Sequence, residues 1–142
     1  MAAAALILAA SCSVPAAEPP LTEQLVEGQT LYVTDGDTVR LASGERVRLA
    51  GVDAPELPPR ARCDREVRLA LEAKARLLEL TREADRVTLR PPVDEPRDAD
   101  HYGRLLRDLH IDGVDAGEIL VAEGLAQVWR GRKAEWCEGA PN

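Results

Sequence analysis

Polar and apolar residues alternate through Leu31-Tyr32-Val33-Thr34, then again at Val39-Arg40-Leu41 and Val47-Arg48-Leu49. Period-two patterning of this kind predicts strands. The first covers residues 29–34 and ends at the turn Asp35-Gly36, and Ser43-Gly44 turns the chain between the other two. The result is three consecutive antiparallel strands. Ala54-Pro55-Glu56-Leu57-Pro58-Pro59 must be irregular, because three prolines in five residues deny a regular element. From Asp64 to about Arg82 the period lengthens, with Val67, Leu71, Ala75 and Leu78 spaced as on a helix and Asp64 as its N-cap. A strand over 86–90 stops at Pro91-Pro92, and another over 105–111 turns at Asp112-Gly113. A short helix over 115–123 ends at Gly124, residues 125–129 are extended, and the Arg/Lys/Trp-rich tail to Asn142 is partial helix and coil. Five strands with a helix after the third fit a mostly-β domain with α, a five-stranded Greek-key barrel of the oligonucleotide/oligosaccharide-binding (OB-fold) type.

Composition supports a single ordinary domain. The chain has 142 residues, 45% hydrophobic and 30% charged, with no Phe, so its core rests on Val, Leu, Ile and Ala. A net charge of −7 argues against a broad electrostatic track along nucleic acid. Its distribution is uneven: residues 39–90 hold twelve bases against nine acids, a local +3 that begins at the hairpin. This leaves room for a small anion-binding face on an acidic body.

Residues 1–11 are apolar but shorter than the roughly 20 residues a spanning helix needs. They read as a secretory leader cleaved after Val14-Pro15-Ala16, as a lipoprotein leader that leaves Cys12 lipidated, or as an Ala-rich tail. The expected organisation is a leader over 1–17, a linker over 18–28, a folded domain over 29–131 and a tail over 132–142. In an exported chain, Cys63 and Cys137 remain as a pair whose even count favours a disulfide tying the first helix to the tail; in a cytosolic one they are free thiols.

The candidate chemistry gathers in residues 35–56. Asp37 and Asp53 are hard oxygen ligands suited to Ca²⁺ or Mg²⁺; the alternative is a turn residue and a loop cap. Glu56, stiffened by Pro55, can accept a proton from water or orient it, or else is a solvated surface acid. Arg48 and Arg104 offer forked, permanently charged donors for a phosphate, or lie as surface residues along the sheet. Tyr102 can stack on a nucleobase or sit half-buried, and His101 reads as surface.

Three separated motifs carry a resemblance: Asp35-Gly36-Asp37-Thr38, then Arg48-Leu49-Ala50-Gly51-Val52-Asp53-Ala54-Pro55-Glu56, then Tyr102-Gly103-Arg104. In this order, with Gly-Glu-Ile-Leu-Val-Ala-Glu-Gly-Leu-Ala at 117–126, the chain resembles the staphylococcal-nuclease-like, or thermonuclease, family over about residues 29–129. The resemblance implies an OB barrel with about three helices and Ca²⁺-dependent hydrolysis of DNA and RNA, preferably single-stranded, leaving 3′-phosphate ends. It places Ca²⁺ on the carboxylates of Asp37 and Asp53 and the main-chain carbonyl of Ala54. It gives Glu56 the nucleophilic water, Arg48 and Arg104 the scissile phosphate, and Tyr102 the terminal nucleotide. The chain departs from the pattern in its short, cysteine-bearing segment between Glu56 and the helix, in Trp129 and Arg130 where tyrosines contribute to the pocket, and in its acidic total.

The expected protein is therefore a monomeric nuclease, secreted or periplasmic and lipid-anchored if Cys12 is processed. The rival is an inactive OB-fold module that binds nucleic acid or protein. A general Ca²⁺-binding module would leave Arg48 and Arg104 without a purpose.

Overall fold

The computed structural model describes Gln24–Leu25 and residues 31–138. The expected leader, Cys12 and most of the expected linker lie outside the described residues. The elements run β1 (Gln24–Leu25), β2 (Leu31–Asp35), β3 (Thr38–Leu41), β4 (Arg46–Leu49), β5 (Val52–Asp53), α1 (Asp64–Glu83), β6 (Val87–Arg90), β7 (Leu105–Ile111), β8 (Val114–Asp115), α2 (Ala116–Ala122) and β9 (Gln127–Val128).

Strands β2, β3 and β4 form the antiparallel meander that the alternation predicts, with Val33 opposite Val39 and Val39 opposite Val47. The chain then crosses over through α1 and β6, and β7 returns parallel to β4, with Val47 opposite Leu105. Strand order β1-β6-β7-β4-β3-β2, with β8 on β7, is a curled Greek-key sheet of the OB type. Within the segment expected as a linker, β1 extends the sheet by pairing with β6. Inward positions of the strands, among them Val39, Leu41, Val47, Leu49, Leu89, Leu109 and Ile111, share one core with Leu77 of α1 and Leu120 of α2. Each such side chain contributes about 1.5–3 kcal/mol relative to an exposed one.

The helix over 64–83 forms where expected, but a different face is buried. Glu66, Ala70, Ala73 and Leu77 point inward, while Ala75 is exposed and Leu71 is 54% exposed. The reason is steric. A Cβ on Gly36 would lie 2.7 Å from the Cβ of Ala73 and 2.8 Å from that of Ala54. The helix approaches the β2–β3 turn so closely that only small residues fit, and the leucine-bearing stripe is turned aside. The N-cap also differs: Cys63 caps α1, its Sγ accepting from the N–H of Glu66, and Asp64 is the first helical residue. The acidic side chain therefore sits in the first turn rather than on the cap, still favourable to the helix dipole.

Helix α2 is capped by Asp115, which accepts from the N–H of Glu118, and ends where expected, with Gly124 at φ +75°. Beyond it, β9 pairs antiparallel with β5, placing Val128 opposite Val52 and Gln127 opposite Asp53. The described part of the tail then runs without helix, so the described residues hold two helices where about three were expected. Cys137 is disulfide-bonded to Cys63, closing a loop of 74 residues. By the chain-entropy argument a link of this span contributes about 4 kcal/mol.

The tight seam yields a test. Gly36→Ala places a methyl against Ala73 and Ala54 together, so it should destabilise the fold by about 1–3 kcal/mol. Equilibrium denaturant melts measure this, and a midpoint equal to the parent's would refute the seam's importance.

Candidate active site

The site is assembled by three segments of chain that meet at the open end of the hairpin. The β2–β3 turn supplies Asp35 and Asp37, β4 supplies Arg48, and β5 with the following proline loop supplies Asp53, Ala54 and Glu56. Asp37 is buried and reaches across to the loop: its Oδ2 accepts from the N–H of Ala54 at 2.7 Å and lies 3.3 Å from Arg48 Nη2. Its Oδ1 accepts from the hydroxyl of Thr38, and its own N–H donates to Asp35. Arg48 is fixed by donating to the carbonyls of Leu49 and Val52, and stands 3.8 Å from Asp53 Oδ1. The sequence expectation that Asp37, Asp53, Ala54, Glu56 and Arg48 converge is met as geometry.

Arg104 and Tyr102 share with Arg48 a pocket of about 310 Å³, which Trp129 and Lys133 also line. Asp37, Asp53 and Glu56 do not line it but contact Arg48 and Lys133, which do; Glu95 and Asp100 line it as well. Asp100 holds Arg104 through Nε at 2.7 Å and accepts from the N–H groups of Tyr102 and Arg104, ordering the Tyr-Gly-Arg turn. Those bonds outweigh desolvation and hold the Asp100 carboxyl below its ordinary range. Tyr102 is 63% exposed, with its ring 5.3 Å from the Arg104 guanidinium and in tilted contact with His101, which is itself exposed as expected. Trp129 presents a second half-exposed aromatic face.

Sequence reasoning missed four residues here. Lys133, from the tail, contacts Glu56 Oε1 and lies 3.1 Å from Asp53 Oδ1. Arg60 donates to the other Glu56 oxygen at 2.7 Å and lies 3.8 Å from Asp35. Glu66, buried, accepts from the backbone N–H groups of Glu56 and Arg62, tying the proline loop to α1. Trp129 was singled out only as a departure from the pattern. The spacing Cys63-x-x-Glu66 is a capping-box pattern with cysteine in place of serine, a legible signal for Glu66. Lys133 had one signal, its place four residues before a cysteine paired with the start of α1.

The electrostatics follow from burial set against the nearby charges. Burial pushes the Asp37 carboxyl above its ordinary value, with Asp35 adding to the rise and Arg48 opposing it. Glu56 goes the other way: burial would raise it, but hydrogen bonds from Lys133 and Arg60 bring it below its ordinary value. Lys133 is raised, since contacts with Glu56 and Asp53 outweigh its desolvation.

Asp53 Oδ1 is buried and makes no hydrogen bond, only the charge contacts to Lys133 and Arg48. By type, that hard oxygen, the Asp37 carboxylate and the Ala54 carbonyl are donors of the kind a hard divalent cation takes, although no three of Asp35, Asp37, Asp53 and Glu56 bring ligand oxygens within 4.8 Å of one another. Among the described residues, the one group of three whose ligand atoms lie within 4.8 Å is Cys63, Glu66 and Cys137; its sulfurs are bonded to each other, which makes it structural.

Because the folded-state pKa of Glu56 lies below its unfolded value of 4.5, its ion pairs contribute stability above that pH. This stability is lost as pH falls through the folded pKa. Glu56→Gln should therefore lower the metal-free Tm by about 2–4 °C at neutral pH and by less at a pH well below 4.5. Calorimetry at both pH values decides; an equal change at both would refute the pairing.

Comparison with known families gives a match to the model described as "Staphylococcal nuclease homologue" over residues 46–139. The match includes Arg48, Asp53, Ala54, Glu56, Tyr102, Arg104 and Lys133, and begins after Asp37. A comparison with curated proteins returns no match. With about two thirds of its length matched, and with the curled Greek-key sheet that this fold requires, the chain belongs to the staphylococcal nuclease family, whose members act on or bind nucleic acid.

Proposed function

We propose that this protein is an exported, Ca²⁺-dependent nuclease that hydrolyses phosphodiester bonds of DNA and RNA, preferring single strands and leaving 3′-phosphate ends. One observation carries the reading: Asp37, Asp53 and Glu56 gather around Arg48 and Lys133, which line one pocket together with Arg104 and Tyr102. Asp37 and Asp53 would hold Ca²⁺ through carboxylate oxygens and Ala54 through its carbonyl. When bound, the ion supplies positive charge against the charge that builds on the phosphoryl group.

The chain's own residues do the rest. Arg48 and Arg104 bind the phosphate oxygens from two sides and stabilise them as the phosphorus becomes five-coordinate. Glu56 takes a proton from the attacking water as the new P–O bond forms. The bond to the 5′ oxygen breaks, that oxygen leaves as a hydroxyl by taking a proton from solvent water, and the phosphate stays on the 3′ side. Tyr102 and Trp129 offer ring faces on which an unpaired base can stack, which supports the preference for single strands. Asp100 is a positioning residue, acting through Arg104.

The inactive OB-fold module remains the second reading, and one observation favours it: Lys133 and Arg60 already satisfy Glu56 in this structure. The two separate in a cleavage assay on denatured DNA and on RNA, with Ca²⁺ or with chelator. The nuclease reading expects Ca²⁺-dependent cleavage with 3′-phosphate ends. Glu56→Gln, Arg48→Ala and Arg104→Ala should each lose about 10²–10⁴-fold in kcat. Cleavage no greater than that of these variants at any Ca²⁺ level, with single-strand binding retained, would replace it with the module.

A further inference from the structure

The tail brings more than a disulfide to the site. Ala134 donates its N–H to Asp53 Oδ2 at 2.9 Å, and Lys133 sets its ammonium 3.1 Å from Oδ1 of the same carboxylate. The same ammonium contacts Glu56. Both oxygens of a side chain only 1% exposed are thus met by two consecutive residues of one segment, and Oδ1, the oxygen left without a hydrogen bond, faces the lysine.

This placement is built into the fold. The segment is reached through the β5–β9 pair, and beyond the lysine Arg62 donates to the carbonyl of Ala134 and pairs with Glu135. Trp136 is buried, and Cys137 is bonded to Cys63. The lysine side chain itself is 52% exposed, so its ammonium can swing away without disturbing the core.

We propose that Lys133 is a tethered counterion whose ammonium, lodged between Asp53 and Glu56, occupies Asp53 Oδ1, and that a divalent cation held by Asp37, Asp53 and Ala54 binds by displacing it from that oxygen. The inference rests on the Ca²⁺ reading above and adds the residue that sets the affinity. The charge balance supports it. Asp35, Asp37, Asp53 and Glu56 face Arg48, Arg60 and Lys133, which leaves one negative charge uncompensated. Replacing one ammonium by a dication brings the cluster to neutrality. Adding a dication while the ammonium stays would put two cations against the same oxygens, with repulsion doubled by the ion's charge. The displaced ammonium has somewhere to go, since Lys133 already lines the pocket with Arg48, Arg104 and Trp129.

Calorimetric titration of the metal-free full chain with CaCl₂ tests this without reference to cleavage. Lys133→Met, which keeps the stem and removes the charge, should bind Ca²⁺ at least tenfold more tightly. Lys133→Arg should stay near the parent. Without metal, Lys133→Met should also melt below the parent, and the gap should close at saturating Ca²⁺. Equal or weaker Ca²⁺ binding by Lys133→Met overturns the inference and leaves the metal site standing. Absence of Ca²⁺ binding in parent and variant alike, matching an Asp37→Asn control, overturns the metal reading and this inference together. A second variant addresses the tether: the folded Cys63→Ser/Cys137→Ser pair, which keeps the lysine but frees the tail, should shift toward the tighter affinity. Affinity equal to the parent's would show that the disulfide does not set the lysine's position.

Discussion

The bond from the Ala54 N–H to the buried carboxylate of Asp37 joins two parts of the chain that the sheet alone would leave apart. It fixes the β2–β3 turn to the loop that follows β5, and both then seat against α1 through Gly36, Ala54 and Ala73. A carboxylate buried this deeply is costly unless its oxygens are used. Here Ala54, Thr38 and Arg48 use them. The bond is also what brings Asp53 and Glu56 within reach of Arg48 and of the tail, because Ala54 lies between those two acids in sequence. If it fails, the proline loop loses its register against the hairpin and the cluster of acids disperses.

Everything near that bond bears the strain of concentrated negative charge. Burial raises Asp37, so the ionised form costs stability as pH rises above the carboxylate's ordinary 3.8 toward the higher folded-state value. Glu56 shows the opposite sign because Lys133 and Arg60 flank it. Two acids a few residues from a shared centre thus respond to pH in opposite senses: burial is the largest influence on both and raises both, but only at Glu56 do hydrogen-bonded cations overcome it. Asp37 shares Arg48 with Asp53, while Glu56 is hydrogen-bonded by two cations, Lys133 and Arg60, even though these also reach Asp53 and Asp35. A fold that gathers acids without matching cations is less stable than it could be, a common cost of a site that works on charge.

What could be read from the residues follows from the range of the interactions concerned. The meander, the strand over 105–111, the helix over 115–123 and the site motifs are local patterns, and the structure has them in place. The family match and the Greek-key sheet bear out the resemblance on which the site expectations rested. The buried face of α1 was not legible, because Leu71 is more apolar than Ala70 or Ala73 yet too large for the seam beneath Gly36. A hydrophobic repeat reports what a side chain would gain by burial, not whether there is room. The cap at Cys63 was hidden by an acidic neighbour with the better intrinsic preference. Lys133 had only its nearness to Cys137 to mark it, for a different reason: it lies 77 residues from Glu56, and its place depends on the β5–β9 pair and the disulfide acting together.

The same distinction between local and total quantities governs how an acidic protein can face an anionic ligand. The total of −7 describes the field at long range, where salt screens it within about 8–10 Å. Close in, the arrangement differs. Arg48, Arg97, Arg104 and Lys133 line one pocket, while Arg40, Arg46, Arg60 and Arg104 line its neighbour, so that Arg104 belongs to both. Arg46 reinforces the boundary by donating to the carbonyl of Tyr102. Acids line these pockets too, Glu95 and Asp100 in the first and Asp35 in the second, but in each the cations outnumber them, so a phosphate within a few ångströms meets a local excess of positive charge. Under the nuclease reading this produces a protein with little long-range pull on a polyanion and a strong grip on single phosphates, suited to short flexible strands rather than to tracking along a duplex.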